Sequence, residues 1–408
     1  MPDTAPADAM AVPVAPRPLT GEVQWPVVAV ALTIAALVLL KVAGAAPPNV
    51  VALFGVGLAL GVALYQAAFG FTAAFRVFLA DGQGAGLRAQ LLMLAVACVL
   101  FFPALAAGAV FGSPVHGYVA PLNTSLVAGA FLFGVGMQLG GGCASGTLFA
   151  VGGGSARMLL TLLFFIVGSV IGVAQSPFWS ALPGLPSVAL VARFGWPVAL
   201  TGNLMVFGLL WLLVARIERR RHGSLQPIAT GGHWRRGPWP LAAGGVTLAV
   251  LNFATLALAG QPWGITAAFG PWGAKLLAVG GVDVSGWGGW ADPAQLAALA
   301  RPVLGDVVSV MDIAIVLGAL LAAGAAGKFA PLRRIPPRHA VASMLGGLLL
   351  GYGARLAHGC NIGAFFSGVA SGSLHGWMWV ACALAGSFVG LKLRPWFGMV
   401  VERRLAAC

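Results

Sequence analysis

Long apolar runs, broken by short charged segments, dominate the chain. No Lys, Arg, Asp or Glu occurs from Val42 to Phe75, Ala89 to Ala156, Met158 to Ala192, Gly237 to Ala274 or Leu356 to Leu391. A helix needs roughly 20 mostly apolar residues to cross bilayer hydrocarbon, so several of these runs hold more than one crossing. Dividing them predicts ten spans, at 26–42, 49–68, 89–110, 122–139, 158–174, 196–215, 239–259, 306–326, 339–357 and 375–393. Four apolar pieces remain, around 69–80, 144–152, 262–280 and 361–370, too short or too glycine-interrupted to cross. They read as re-entrant half-helices. Irregular backbone at membrane depth is tolerated only where it is buried in protein or lines a cavity, since an unpaired amide there costs several kcal/mol. The expected fold is an all-α integral membrane protein with its half-helix loops around a shared internal site.

Composition sharpens this picture. The 408 residues are 59% hydrophobic and only 8% charged, against about 25% charged in a soluble domain. The formal charge of +13 sits in short loops between apolar runs. That is the pattern of cytoplasmic loops in membrane proteins and not a nucleic-acid-binding face. Arg216, Arg219, Arg220, Arg221, Arg235 and Arg236, then Lys328, Arg333, Arg334 and Arg338, then Lys392, Arg394, Arg403 and Arg404 all fall on one side by crossing parity. The 281–305 loop, with Asp283 and Asp292, falls on the other. The expected location is a bacterial inner membrane with both termini cytoplasmic. Residues 1–25 lack the basic n-region of a signal peptide and read as a disordered tail, followed by an extra helix at 26–48. A first half at 49–195, a connecting helix with basic loop at 196–238, a second half at 239–394 and a tail at 395–408 complete the division.

The two halves echo one another. Residues 134–146, GVGMQLGGGCASG, and 351–363, GYGARLAHGCNIG, share the pattern G-x-G-x-x-L-x-x-G-C-x-x-G. Cys143 thereby pairs with Cys360, Gly142 with Gly359, Gly146 with Gly363, Gln138 with Arg355 and Gly141 with His358. A second echo joins Gly70–Phe75 to Gly264–Phe269. Under the charge-derived topology the repeats are inverted, a transporter architecture in which broken helices meet near the bilayer midplane. Each Gly-Cys precedes a half-helix, whose N-terminal amides suit an anion.

At these residues the chain resembles the YeeE/YedE family of sulfur-compound transporters over roughly 49–393. The resemblance implies thiosulfate uptake along a pathway of cysteines, two of which match Cys143 and Cys360. In some members a third stands in the first inward loop, where this chain has Gly70 or a neighbour.

Cys98 and Cys382 lie alone in apolar helices and read as small buried hydrophobes. Cys408 belongs to the tail. Gly134 and Gly136 serve either close helix packing or the site; Gly142, Gly146, Gly359 and Gly363 favour close ligand approach. An arginine within an uncharged membrane run is a functional hypothesis by default, so Arg355 either draws an anion inward or snorkels to the interface. His358 serves the site or donates to a backbone carbonyl. Ser145, Thr147 and Asn361 are neutral donors for oxyanion oxygens or half-helix caps. No Walker A, H-E-x-x-H or Rossmann signature occurs, no metal or cofactor is implied, and no enzyme is expected. A membrane thiol oxidoreductase or sulfurtransferase, or a transporter of a related sulfur or selenium species, is the alternative. A third reading is a sensor or scaffold on whose basic loop 216–236 cytoplasmic sulfur-trafficking proteins dock, and a small cytoplasmic sulfurtransferase is the candidate protein partner.

Overall fold

The computed structural model describes residues 22–329 and 334–401. Residues 1–21 and 402–408 of the expected tails, with Arg403, Arg404 and Cys408, and the 330–333 segment with Arg333, lie outside the described residues. In chain order the helices are α1 (Trp25–Ala45), α2 (Pro48–Ala67), α3 (Phe71–Asp81), α4 (Ala85–Ala107), α5 (Thr124–Gly140), α6 (Ala144–Gly152) and α7 (Ala156–Ala174). Two single-turn pieces follow, α8 (Ser176–Ser180) and α9 (Leu190–Phe194), then α10 (Trp196–His222), α11 (Leu241–Ala259), α12 (Phe269–Val279) and α13 (Pro293–Ala300). The chain continues through α14 (Val307–Ala325), α15 (Pro337–Leu356), a π-helical stretch at Asn361–Ser367 running into α16 (Gly368–Ala370), and α17 (Leu374–Leu393). Among the described residues the β structure amounts to two pairs of two-residue strands, Ala109–Val110 with Ser113–Pro114 and Leu122–Asn123 with Gly184–Leu185.

Each predicted span has become a helix with ends shifted by a few residues. Nine apolar runs among the described residues are long enough to cross a membrane, or ten if the bent pair Pro337–Leu356 and Asn361–Ala370 is one span. The pieces left over by the hydrophobic pattern are α3, α6, α12 and the Asn361–Ala370 stretch. In the third, helix begins only at Phe269, after an irregular approach through Gln261–Ala267. The 281–305 loop contains α13, which Asp292 caps by accepting from Ala294 N at 2.8 Å. Similar local chemistry starts the longer helices. Asn123 accepts from Leu126 N ahead of α5, and Asp306 accepts from Ser309 N at 2.8 Å ahead of α14, each satisfying one orphan amide of a helix start.

The packing obeys the repeat. α5 packs on α15, α5 on α17, and α15 on α7; α2 packs on α14 and α4 on α11. Exchanging each helix for its repeat mate reproduces that set. The glycines make the match residue by residue. A Cβ built on Gly134 would collide with the Ala383 carbonyl, and one on its mate Gly351 with the Phe165 carbonyl. Gly136 meets Gly346 as Gly353 meets Gly129, and Gly168 meets Leu348 as Gly386 meets Phe131. These contacts assign Gly134 and Gly136 to close helix packing. Their order along the helices also sets direction. Gly129 faces Gly353 and Leu356 while Gly136 faces Gly346 and Leu350, so α5 and its mate α15 lie antiparallel.

Candidate functional site

Both repeated cysteines sit in the same local structure. α5 ends at Gly141 with φ +91°, a left-handed turn that glycine adopts freely. Its mate His358, after α15, adopts φ +58° despite carrying a side chain, an uncommon backbone for a non-glycine residue. Next, Gly142 and Gly359 pack into their own cap turns. A Cβ on Gly142 would lie 3.3 Å from Thr147 N, and one on Gly359, at φ +140°, 2.9 Å from Ala364 N. The chain then extends at Cys143 (φ −86°, ψ −169°) and Cys360 (φ −110°, ψ −167°), each the residue before a short helix. The four cap glycines thus divide by role. Gly142 and Gly359 shape the turns, whereas a Cβ on Gly146 would lie 3.5 Å from the Cys143 sulfur and one on Gly363 4.0 Å from Gly264, both ordinary contacts.

Both thiols are buried, and both are free. Cys143 Sγ lies 3.4 Å from Ser145 Oγ, and Thr72 of α3 stands beside it. Cys360 Sγ accepts from Ile362 N at 3.4 Å. Thr147 donates to the Cys143 carbonyl at 2.7 Å, so its hydroxyl proton serves the helix start. α6 packs against the Asn361–Ser367 stretch, bringing the two caps together. Around them lie buried polar atoms without a hydrogen-bond partner in the structure: Thr72 Oγ1, Gln138 Oε1, both side-chain atoms of Asn361 and both carboxyl oxygens of Asp312. Buried polar groups are ordinarily paired, so such a cluster marks a place for a ligand or water.

One cavity opens beside the Cys360 cap and a second beside the start of α3, the helix whose Thr72 stands near Cys143. One, of about 320 Å³, is lined by Tyr118, the Gln261–Ala267 approach, Val308, Arg355, His358 and Gly359. Arg355 donates to the Ala267 carbonyl at 2.9 Å and holds the Gly264 segment in place; its Nε and His358 Nε2 have no partner. The other, of about 230 Å³, is lined by the Ala68–Gly70 turn, Ala73, Gln83, Gln90 and Gln226. The two echoing segments, Gly70 and Gly264, therefore line different cavities. On the Cys143 side the last carbonyls of α5 are taken by cations, Leu139 O by Arg157 and Gln138 O by Arg394, both at 2.8 Å. Cations suit the partial negative charge of a helix end.

The family described as Sulphur transport matches residues 66–389, most of the chain and both repeats. The chain belongs to that family. It is 27% identical over 347 residues to the thiosulfate transporter TsuA of Spirochaeta thermophila, covering 79% of this chain and 92% of that protein. To the thiosulfate transporter TsuA of Escherichia coli it is 26% identical over 372 residues, with 86% and 95% covered. A probable transporter YedE of Salmonella typhimurium shares 33% identity over 174 residues, 41% of this chain and 40% of that one. The chain is a multi-pass membrane protein of a sulfur-transporting family.

Within this family member the hydrophobic pattern concealed two features of the site. One is an aromatic belt. Phe71 meets Phe365 edge-on at 6.3 Å, Phe365 stacks on Trp379, Trp379 leads to Phe133 at 5.4 Å, then Phe165 and Phe269. It links the Gly70 segment to the Gly264 segment through buried rings. The other is Asp312, fully buried on α14. Its signal was available, since a carboxyl inside a span is itself a pointer to function. Cys98, by contrast, is a packing residue, its sulfur 3.7 Å from the Val369 carbonyl.

Proposed function

We propose that the protein takes up a small sulfur-containing anion, thiosulfate in the first place, across a bacterial inner membrane by passing it from Cys360 to Cys143. The observation that carries this reading is the pair of matched, buried thiols on caps whose helices pack together, one cap bordering a cavity and the other facing α3, which lines a second. Gly359 beside Cys360 lines one cavity, and Gly70 and Ala73 around Thr72 line the other. A thiol is a weak S–H donor, so it holds a polarisable sulfur anion and releases it readily, where a fixed cation would retain it. Ser145 and Asn361 are within the caps to meet the oxyanion end, and the aromatic belt keeps the passage dry. The relatives' thiosulfate transport supports the choice of substrate. The antiparallel register of α5 and α15 supports inverted repeats, with α3, α6, α12 and Asn361–Ala370 as re-entrant pieces. In the orientation that puts basic loops in the cytoplasm, Arg355 faces the arriving anion. Gln226 of the basic segment lines the exit cavity, where a cytoplasmic sulfurtransferase would collect the product.

Serine keeps nearly the size of cysteine but is a harder and more strongly hydrated group. Cys143→Ser and Cys360→Ser should each lower thiosulfate uptake by reconstituted vesicles at least tenfold, about 1.4 kcal/mol, while Cys98→Ser and Cys382→Ser retain most of it. Normal uptake by both cap variants would exclude the cysteine path.

A further inference from the structure

Asp312 lies one helical turn beyond Val308, which lines the cavity holding Arg355 and His358. One turn further along the same face, the Val316 carbonyl and Ala319 pack on Gly152 of α6, the helix that Cys143 begins. Asp312 therefore sits on the stripe of α14 that runs from the cavity to the cysteine-bearing helix. Its exposure is zero and both carboxyl oxygens are without a partner among the described residues. The Cys360 thiol and Asp306 are within electrostatic reach of it. Of the elements packed on α14, α6 carries no titratable side chain, α2 carries Tyr65 at the Gly153 end, and α1 carries the exposed Lys41. Asp306 is occupied in capping Ser309. Among these neighbours no cation is paired with the carboxyl.

We propose that Asp312 is the proton-coupling site of the transporter, carrying a proton inward with the sulfur anion. An ionised carboxyl buried without a partner is costly, and a dianion at Cys360 would add like-charge repulsion to that cost. Protonation removes both penalties. A proton from the entry cavity binds the carboxylate, the anion then occupies the cap, and after the anion moves on the proton leaves to water on the exit side. The carboxyl returns to its starting state, and each proton carried cancels one negative charge moving against an inside-negative potential. Binding is then linked to protonation, and the linkage is reciprocal.

This inference rests on the anion-uptake reading, and the test separates the two. Purified full-length protein is reconstituted in vesicles with a trapped pH dye and given thiosulfate, or sulfite, sulfate or selenite as alternative anions. An inward proton gradient should speed uptake by the wild type, with internal acidification that depends on the anion. Asp312→Asn should lose the gradient stimulation and the acidification at least tenfold, and Asp312→Glu should restore part of both. In detergent, wild-type affinity for thiosulfate should fall with rising pH, by up to about tenfold per pH unit for one linked proton, and be flat in Asp312→Asn. Infrared difference spectra across a pH step, without any anion, should contain a carboxyl band that vanishes in Asp312→Asn. Absence of uptake of any anion, with the band present, would overturn the transport reading and leave Asp312 as a proton-exchanging site. Wild-type proton flux in Asp312→Asn, or a pH step that leaves no Asp312 band, would overturn the coupling proposal.

Discussion

The cap at Cys143 and the cap at Cys360 share a backbone but not a chemistry. Both run from a left-handed residue through a packed glycine to an extended cysteine and a short helix. Along the repeated motif at Cys143 the side chains are neutral, at Gly141, Ala144, Ser145, Thr147 and Gln138, and the cations there, Arg157 and Arg394, are spent on the last carbonyls of α5. Around Cys360 the same places hold His358, Asn361 and Arg355, with Asp312 nearby. Even the helices differ, a regular α-helix in one half and a π-helical stretch in the other, a form often found at functional sites. A duplicated scaffold has kept its backbone geometry while the side chains of its motif have diverged, and on the proposed path that difference would make the Cys360 cap the one that attracts the anion and the Cys143 cap the one that releases it.

The ends of the halves differ in the same way, and there the largest effect is expected. Arg88 at the start of α4 pairs with Glu218 of α10 at 2.8 Å, both side chains buried, and Arg88 also donates to the Gln226 carbonyl. The start of α14 is held without an ion pair among the described residues, by the Asp306 cap and by Trp272 donating to Ser309 Oγ at 2.8 Å. Glu218→Ala leaves an uncompensated buried cation and should cost about 3–5 kcal/mol, whereas Asp306→Ala should cost about 1 kcal/mol. Thermal unfolding in detergent measures both, and equal losses would break the distinction between the two ends.

Next come the helix seams, where the comparison predicts equality. Gly134→Ala and Gly351→Ala place a methyl against mated carbonyls, so each should destabilise by about 1–3 kcal/mol. Losses differing by more than about 1 kcal/mol would show that the seams, like the caps, have diverged. The smallest expected effect is at the cap itself. Arg355→Gln, which installs the residue found at 138, should weaken thiosulfate binding about threefold to tenfold and flatten its dependence on salt, as loss of a steering charge does. A salt dependence equal to that of the wild type would reduce Arg355 to an anchor of the Ala267 carbonyl.

Much of the architecture was legible because membranes impose long, uniform runs, and the ten spans follow from apolar length alone. The repeated G-x-G-x-x-L-x-x-G-C-x-x-G signalled the caps, since glycine and cysteine at fixed spacing survive only where backbone contact or a thiol is needed. What stayed hidden depends on residues distant in sequence. Arg88 and Glu218 are 130 positions apart, and each reads alone as an ordinary loop charge. The rings of the aromatic belt are indistinguishable from other core phenylalanines until their neighbours are known. Asp312 could be read from sequence as a carboxyl inside a span, but its complete burial and its nearness to Cys360 depend on neighbours far along the chain. The separate duties of Gly142 and Gly146 emerge only from what a Cβ would touch at each.

The glycine seams have a mechanical consequence. Where backbone lies directly on backbone, with no side chain between them to tilt or compress, two helices cannot rotate past one another without losing contact along their whole length. Because α5, α7, α15 and α17 are joined in this way across both halves, the halves form one stiff frame and cannot swing as separate lobes. On the proposed uptake path, passage would then depend on small, local excursions of the short helices and of the segments at Gly70 and Gly264. Turnover in such a device should resemble that of a gated pore, with a shallow dependence on temperature and little response to the lateral pressure of the surrounding lipid.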